Sequence, residues 1–320
     1  MHRLDLKTVG FLIVPPLMWA GNAVVGRMMV GLMPPVAMNA VRWVIVGLML
    51  APLAWRLRTQ WPLIRARWPY LALIGALGVG SYNALQYLAL KTSTPLNVTL
   101  IGSSVPVWMM AVGALCFGQH VTRRQLSGAL LCIAGVVLVI AQGRWQTLVH
   151  VRWVPGDLLM LLAALCWAFY SWLLVRPPAH MQGEARPDWS WAEFLWLQVL
   201  FGTVWGALCS VAEYAFLPSV PGAAPVLTGA SVWQDWPEWL RLAVGLLFVA
   251  VGPSIWAYRS WGRGVQAVGP TVAAFFSNLT PVFAGLLSVL LLGQTPSWYH
   301  PCALALIVGG IVLSSTRARA

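Results

Sequence analysis

Residues 103–119 read SSVPVWMMAVGALCFGQ and residues 278–294 read NLTPVFAGLLSVLLLGQ, so the chain states one segment twice at an offset of 175. The register holds without a gap from Pro95 against Pro270, through Pro106 against Pro281 and Gly118 against Gly293, to Gly135 against Gly310. So long an ungapped match marks an internal duplication. Working outward, Trp19-Ala20 pairs with Trp167-Ala168 at an offset of 148. The copies therefore keep the same order with insertions of different length, and residues 1–145 and 146–320 are read as two repeats of a single membrane domain.

Only 9% of the 320 residues are charged while 59% are hydrophobic, and the mean hydropathy is +0.75. Soluble domains carry about a quarter charged residues, so lipid is the expected solvent for most of this surface. Apolar runs long enough to cross a bilayer give ten spans, at about Val9–Val30, Pro35–Trp55, Trp68–Leu90, Leu96–Phe117, Gln125–Gln142, Gly156–Val175, Ala192–Ala212, Trp239–Trp261, Gly269–Leu292 and Tyr299–Ser315. With the N-terminus inside, 14 of the 20 basic residues fall on the cytoplasmic side, five fall opposite, and Arg42 lies within a span. That bias places both termini in the cytoplasm and explains the net charge of +12 without a nucleic-acid partner. Five spans per repeat is an odd number, so the second repeat enters from the opposite side. The expected fold is an all-α membrane protein of ten transmembrane helices in two inverted five-helix repeats, the arrangement from which alternating-access carriers are built.

The opening MWAGN, the arginine of AVRWVIV, the pattern ALKTSTPLNVTLIGSSVPV and above all WGRGVQAVGPTVAAFFSNLTPVFAGLLSVLLLGQ resemble the EamA-type members of the drug/metabolite transporter superfamily. The resemblance covers nearly the whole chain. It implies an inner-membrane exporter or permease for amino acids or other small metabolites. One departure is Gln119 and Gln294, where relatives often carry Glu.

The residues themselves place a site at mid-membrane. Pro106 lies about ten residues, or about 15 Å, into its span, and Pro281 reaches that depth from the other side. Each would free a carbonyl, of Gly102 and Ser277, and such backbone is tolerated at that depth only where it is buried in protein or lines a cavity. The expected substrate groups are Ser103, Ser104, Ser277 and Asn278, with Gly102, Pro106 and Pro281 as hinges. Asn22, Tyr82, Asn83, Gln86 and Tyr258 could face the same cavity, and Trp19 and Trp167 could wall it. For each of these a second reading stands: hydroxyls and amides also bind helices together, and aromatic rings also pack or face lipid. Arg42 is either the counter-charge of a carboxylate-bearing substrate or a side chain that snorkels to the external headgroups or bonds backbone carbonyls.

The eight acidic residues all fall in loops or near span ends, so no carboxylate is placed to bind a driving ion, and a facilitator or an exchanger of like substrates is expected. No nucleotide-binding, zinc-protease or nucleophile-elbow pattern is present. The five cysteines have no metal or disulfide spacing. No catalytic residue, cofactor or metal is expected; the expected partners are a small-molecule substrate and the lipid bilayer, and a monomer suffices because the duplication supplies both halves. A permease for another metabolite or drug is the alternative, with a membrane-embedded enzyme or receptor-like scaffold behind it. Two longer loops complete the map: 176–191 inside and 213–238 outside, the latter with Trp233, Trp236 and Trp239 as interfacial anchors.

Overall fold

The computed structural model describes residues 5–29, 32, 35–144, 146–149, 152–216, 236–292 and 297–315. Among these every regular element is helical, as hydrocarbon demands, because a helix pairs its own N–H and C=O groups. The helices are α1 Leu6–Met28, α2 Pro35–Leu50, α3 Trp61–Ile74, α4 Tyr82–Thr92, α5 Pro95–Ser103, α6 Val105–Phe117, α7 Arg123–Ile140 and the single turn α8 Gln146–Val149. There follow α9 Pro155–Val175, α10 Trp191–Phe216, α11 Glu238–Val249, α12 Ala257–Val268, α13 Pro270–Ser277, α14 Thr280–Leu292 and α15 Tyr299–Ser315. Six helical stretches are long and apolar enough to cross a membrane, the pair α5–α6 bent by 43° would be a seventh, and Met38–Leu50 and Tyr299–Ser315 are shorter apolar helices. The chain is a multi-pass membrane protein. Residues 217–235, with Trp233 and Asp235, lie outside the described residues, as do Gln294, Arg3, Arg317 and Arg319.

The prolines do not kink continuous helices, as expected from the sequence; they open new ones. Ser104 separates α5 from α6, and Asn278-Leu279 separates α13 from α14. Pro106 and Pro281 therefore stand in a first helical turn, where a missing N–H costs nothing. Nor are the carbonyls of Gly102 and Ser277 the ones taken up by nearby hydroxyls. The Ser103, Ser104 and Ser277 hydroxyls donate at 2.6 Å to the carbonyls of Leu100, Ile101 and Ala274.

A second irregularity has no trace in the hydropathy. Between α3 and α4, and again between α11 and α12, the helix widens into seven residues of π-helix, at Gly75–Ser81 and Ala250–Trp256. These two turns are themselves 175 residues apart, and Trp61-Pro62 matches Trp236-Pro237 at the same offset. In the first turn, Gly75 and Gly78 admit the α10 backbone at Gly202 and the ring of Tyr170. In the second, Pro253 cannot serve the Val249 carbonyl, and the Ser254 hydroxyl donates to it at 2.8 Å.

Packing repeats the same exchange. α4 lies on α9 as α12 lies on α1, and α6 lies on α9 as α14 lies on α1. The mates α7 and α15 pack on each other antiparallel. Gly128 meets the Gly310 carbonyl and Gly135 meets the Ala303 carbonyl, while the Cys132 thiol donates to the carbonyl of Ile307, its own counterpart, at 3.5 Å. A side chain at this seam has no room: a Cβ on Gly310 would lie 2.5 Å from the Gly128 carbonyl, whereas one on neighbouring Gly309 meets nothing within 4 Å. Gly310→Val is expected to destabilise by about 1–3 kcal/mol, as overpacking does, and Gly309→Val to be neutral, read as melting temperature in detergent.

Candidate functional site

A cavity of ≈270 Å³ forms where α1, α2, α4, α5, α9 and the α12–α14 segment converge. The helix breaks place their residues there: Gly102 and Ser103 end α5, while Ser277, Asn278 and Pro281 flank the gap before α14. Trp19, Asn22, Arg42, Tyr82, Asn83, Gln86, Trp167 and Tyr258 complete the polar and aromatic lining. Of the residues expected at the site, Ser104 and Pro106 are not brought to it. The Ser104 hydroxyl accepts from the Trp108 indole at 3.1 Å, on the other side of the break.

Residues that sequence reasoning passed over also line the cavity, among them Thr99, Val105, Met160, Pro253 and Thr280. Thr280 and Val105 are mates at the offset of 175, so the repeat itself could have found them.

One wall is a cluster of rings. Trp167 is its hub, with centroids 5.4 Å from Trp19, 5.3 Å from Trp261, 5.1 Å from both Tyr82 and Tyr170, and 5.7 Å from Tyr258. Trp19 and its repeat mate Trp167 meet nearly edge to face at 82°, an orientation that aligns ring edge with ring face and adds to the burial itself. The polar tips are tied down: the Trp261 indole donates to Ser171 at 3.1 Å, Tyr170 to Gln198 at 2.8 Å, and Tyr258 to the Gly78 carbonyl of the first π turn at 2.6 Å.

Beside the rings lie polar groups without partners among the described residues. Arg42 is 3% exposed, which is not the posture of a side chain reaching for headgroups. Its guanidinium carbon stands 4.6 Å from the Trp43 ring centroid, and among the described residues its Nε has no partner. The Asn22 Oδ1 and Asn278 Nδ2 atoms are likewise buried without a hydrogen bond, and Asn278 is 2% exposed. Gln198, the rough counterpart of Arg42, is not at the cavity; besides accepting from Tyr170 it donates to the Phe194 carbonyl.

No acidic residue lines the cavity among the described residues. Two acids near span ends are nevertheless buried, and both cap helices. Asp157 accepts from Ser93, from the Asn97 amide and from the Val154 N–H at 2.9 Å. Glu193 accepts from the Ser190 N–H at 2.7 Å and from Arg56 at 3.0 Å. The latter contact belongs to a band joining the 55–67 and 179–193 segments, in which Arg67 donates to the Ala185 carbonyl and Trp189 to Gln60.

Compared with known proteins, the chain matches the model of the EamA-like transporter family over residues 6–141 and 154–316. It is 24% identical over 319 residues to the aromatic amino acid exporter YddG of Ancylobacter novellus, covering 100% of both chains. It is 26% identical over 324 residues to a probable amino-acid metabolite efflux pump of Salmonella typhimurium, covering 98% of this chain and 95% of that one. A crystal structure with 22% identity has the same fold, with a TM-score of 0.70 over 96% of each chain.

The ring cluster makes Trp167 structural as well as lining. Trp167→Ala is expected to cost about 3–5 kcal/mol, seen as a large drop in melting temperature. Trp256→Ala, at a ring 56% exposed, is expected to change it little.

Proposed function

The chain belongs to the EamA-like transporter family, and from that premise we propose that it is a secondary transporter that exports small zwitterionic metabolites, amino acids above all, across a bacterial inner membrane. One observation carries this reading: three buried polar atoms without hydrogen-bond partners among the described residues, Arg42 Nε, Asn22 Oδ1 and Asn278 Nδ2, belong to residues that line one cavity together with a cluster of aromatic rings. An unpaired buried polar group costs about 1–3 kcal/mol, and more if charged. A cargo carboxylate would satisfy Arg42 and the Asn278 amide, an ammonium would donate to Asn22, and an apolar side chain would lie against Trp19 and Trp167. The export direction and the amino-acid cargo are suggested by the names of the relatives. The aromatic wall also favours a second reading, a permease for another small metabolite or an amphipathic drug, since it would accept a ring of any origin.

The topology that accommodates this site has ten spans. The six long stretches, the bent pair α5–α6, the two shorter apolar helices and the continuous α3–α4 segment supply them. An inverted repeat is supported by the self-paired α7 and α15 and by the matching π turns. With both termini inside, the cavity lies in the outer half of the membrane. The Trp19–Trp167–Trp261 cluster and the Arg56–Glu193 band then close the inner side, and alternating access would open that band while closing the outer one. With no acid among the described residues that line the cavity to hold a proton or sodium ion, we expect a facilitator or exchanger, complete as a monomer.

Counterflow in proteoliposomes loaded with the twenty amino acids tests this. A labelled amino acid should accumulate. Asn278→Leu or Arg42→Gln should lower the rate by about tenfold or more at unchanged folded protein, as loss of a charge-assisted hydrogen bond does, while Ser104→Ala should leave it nearly unchanged. Uphill transport driven by a proton gradient alone would contradict the mechanism, and counterflow of no amino acid would contradict the cargo.

A further inference from the structure

Apart from that cavity, a second one of ≈360 Å³ lies between α1, α11 and α14, walled by Leu17, Val25, Met29, Val244, Phe248 and Leu287. Its lining is carbon almost throughout, with one charged residue, Arg241, one turn into α11. The Arg241 Nε is buried with no hydrogen-bond partner among the described residues. Among the described residues its ion-pair partner is Glu238, 4.0 Å from a terminal guanidinium nitrogen and 81% exposed, a long and solvated contact.

The duplication shows how the same space is treated in the other half. The offsets of 175 and 148 carry Gly245 onto Tyr70 and Val25 onto Leu173. Tyr70 is 4% exposed, and its hydroxyl donates to the Leu173 carbonyl at 3.0 Å, so its ring plugs the gap between α3 and α9. At the equivalent place between α11 and α1 stands Gly245, with the Met29 thioether packed against it and the cavity alongside. Leu247, Leu286 and Leu290, on the two flanking helices, are 54%, 51% and 69% exposed, a surface suited to hydrocarbon and not to water. An apolar cavity between helices with exposed apolar faces, with a cation one turn from a helix end, matches one kind of occupant in both shape and charge.

We propose that this groove binds one anionic phospholipid, an acyl chain lying in the channel and its phosphate meeting Arg241. The acyl chain then lies along Met29, Val244 and Phe248, and the headgroup supplies the charge that Glu238 does not.

The test is native mass spectrometry of protein in neutral detergent, titrated with dioleoyl phosphatidylglycerol, dioleoyl phosphatidylcholine or dihexanoyl phosphatidylglycerol. One long-chain phosphatidylglycerol should be retained about fivefold more than phosphatidylcholine, the worth of one interfacial arginine, and the short-chain form should be lost. Arg241→Gln should erase the headgroup preference, and Val244→Phe, which fills the groove, should erase retention of both long-chain lipids. A photocrosslinker at position 244 should add the mass of a phosphatidylglycerol. Equal retention of the two long-chain lipids, retention of the short-chain lipid, displacement by inorganic phosphate, or a crosslink to the protein's own chain would each overturn the proposal. If a variant does not fold, the headgroup and chain-length comparisons on unaltered protein decide by themselves. The outcome is independent of transport, so it stands or falls apart from the cargo reading.

Discussion

Hydrocarbon offers no partner to an open N–H or C=O, and the form of this chain follows from that. Among the described residues nearly everything is helix, and nearby groups serve the backbone at its breaks and wide turns. Hydroxyls of Ser103, Ser104 and Ser277 serve carbonyls at the two breaks, and Ser254 serves the one that Pro253 leaves open. Tyr258 reaches across to the first π turn, at Gly78. Irregular backbone is thus gathered inside the protein, and the cavity lies where the pieces meet.

The frame was legible because a duplication leaves evidence that apolar composition alone does not. An offset held across Pro95–Gly135 predicted which helices are mates, and polar residues scarce in an apolar chain pointed to the cavity. Ser104 was misplaced for a physical reason: a break resets helical phase, so the neighbour of a lining residue need not line, while Val105 and Thr280 on the far side of the breaks do. The π turns were illegible because widening a helix changes which hydrogen bonds close and leaves hydropathy as it was. The buried caps at Asp157 and Glu193 were seen only as acids near span ends, since sequence does not tell which face of a first turn is covered.

The two halves share a scaffold but differ at the positions around the two cavities. Arg42 stands at the cavity while its counterpart Gln198 is spent on Tyr170 and Phe194. Tyr70 fills one flank, while an apolar cavity lined in part by Gly245 lies at the other. A symmetric site would recognise a symmetric cargo; the division into a cationic wall and an aromatic wall suits a molecule with two unlike ends.

The glycine seam between α7 and α15 bears on how the protein is made. Its two faces lie 175 residues apart in the chain, and at about 5–20 residues per second roughly ten to thirty-five seconds of synthesis separate them. Throughout that interval α7 sits in the bilayer with Gly128 and Gly135 bare, covered only by lipid. Small-residue stripes of this kind invite any passing helix, so the nascent first half is the form most exposed to mispairing, and α15 acts as the latch that ends the exposure.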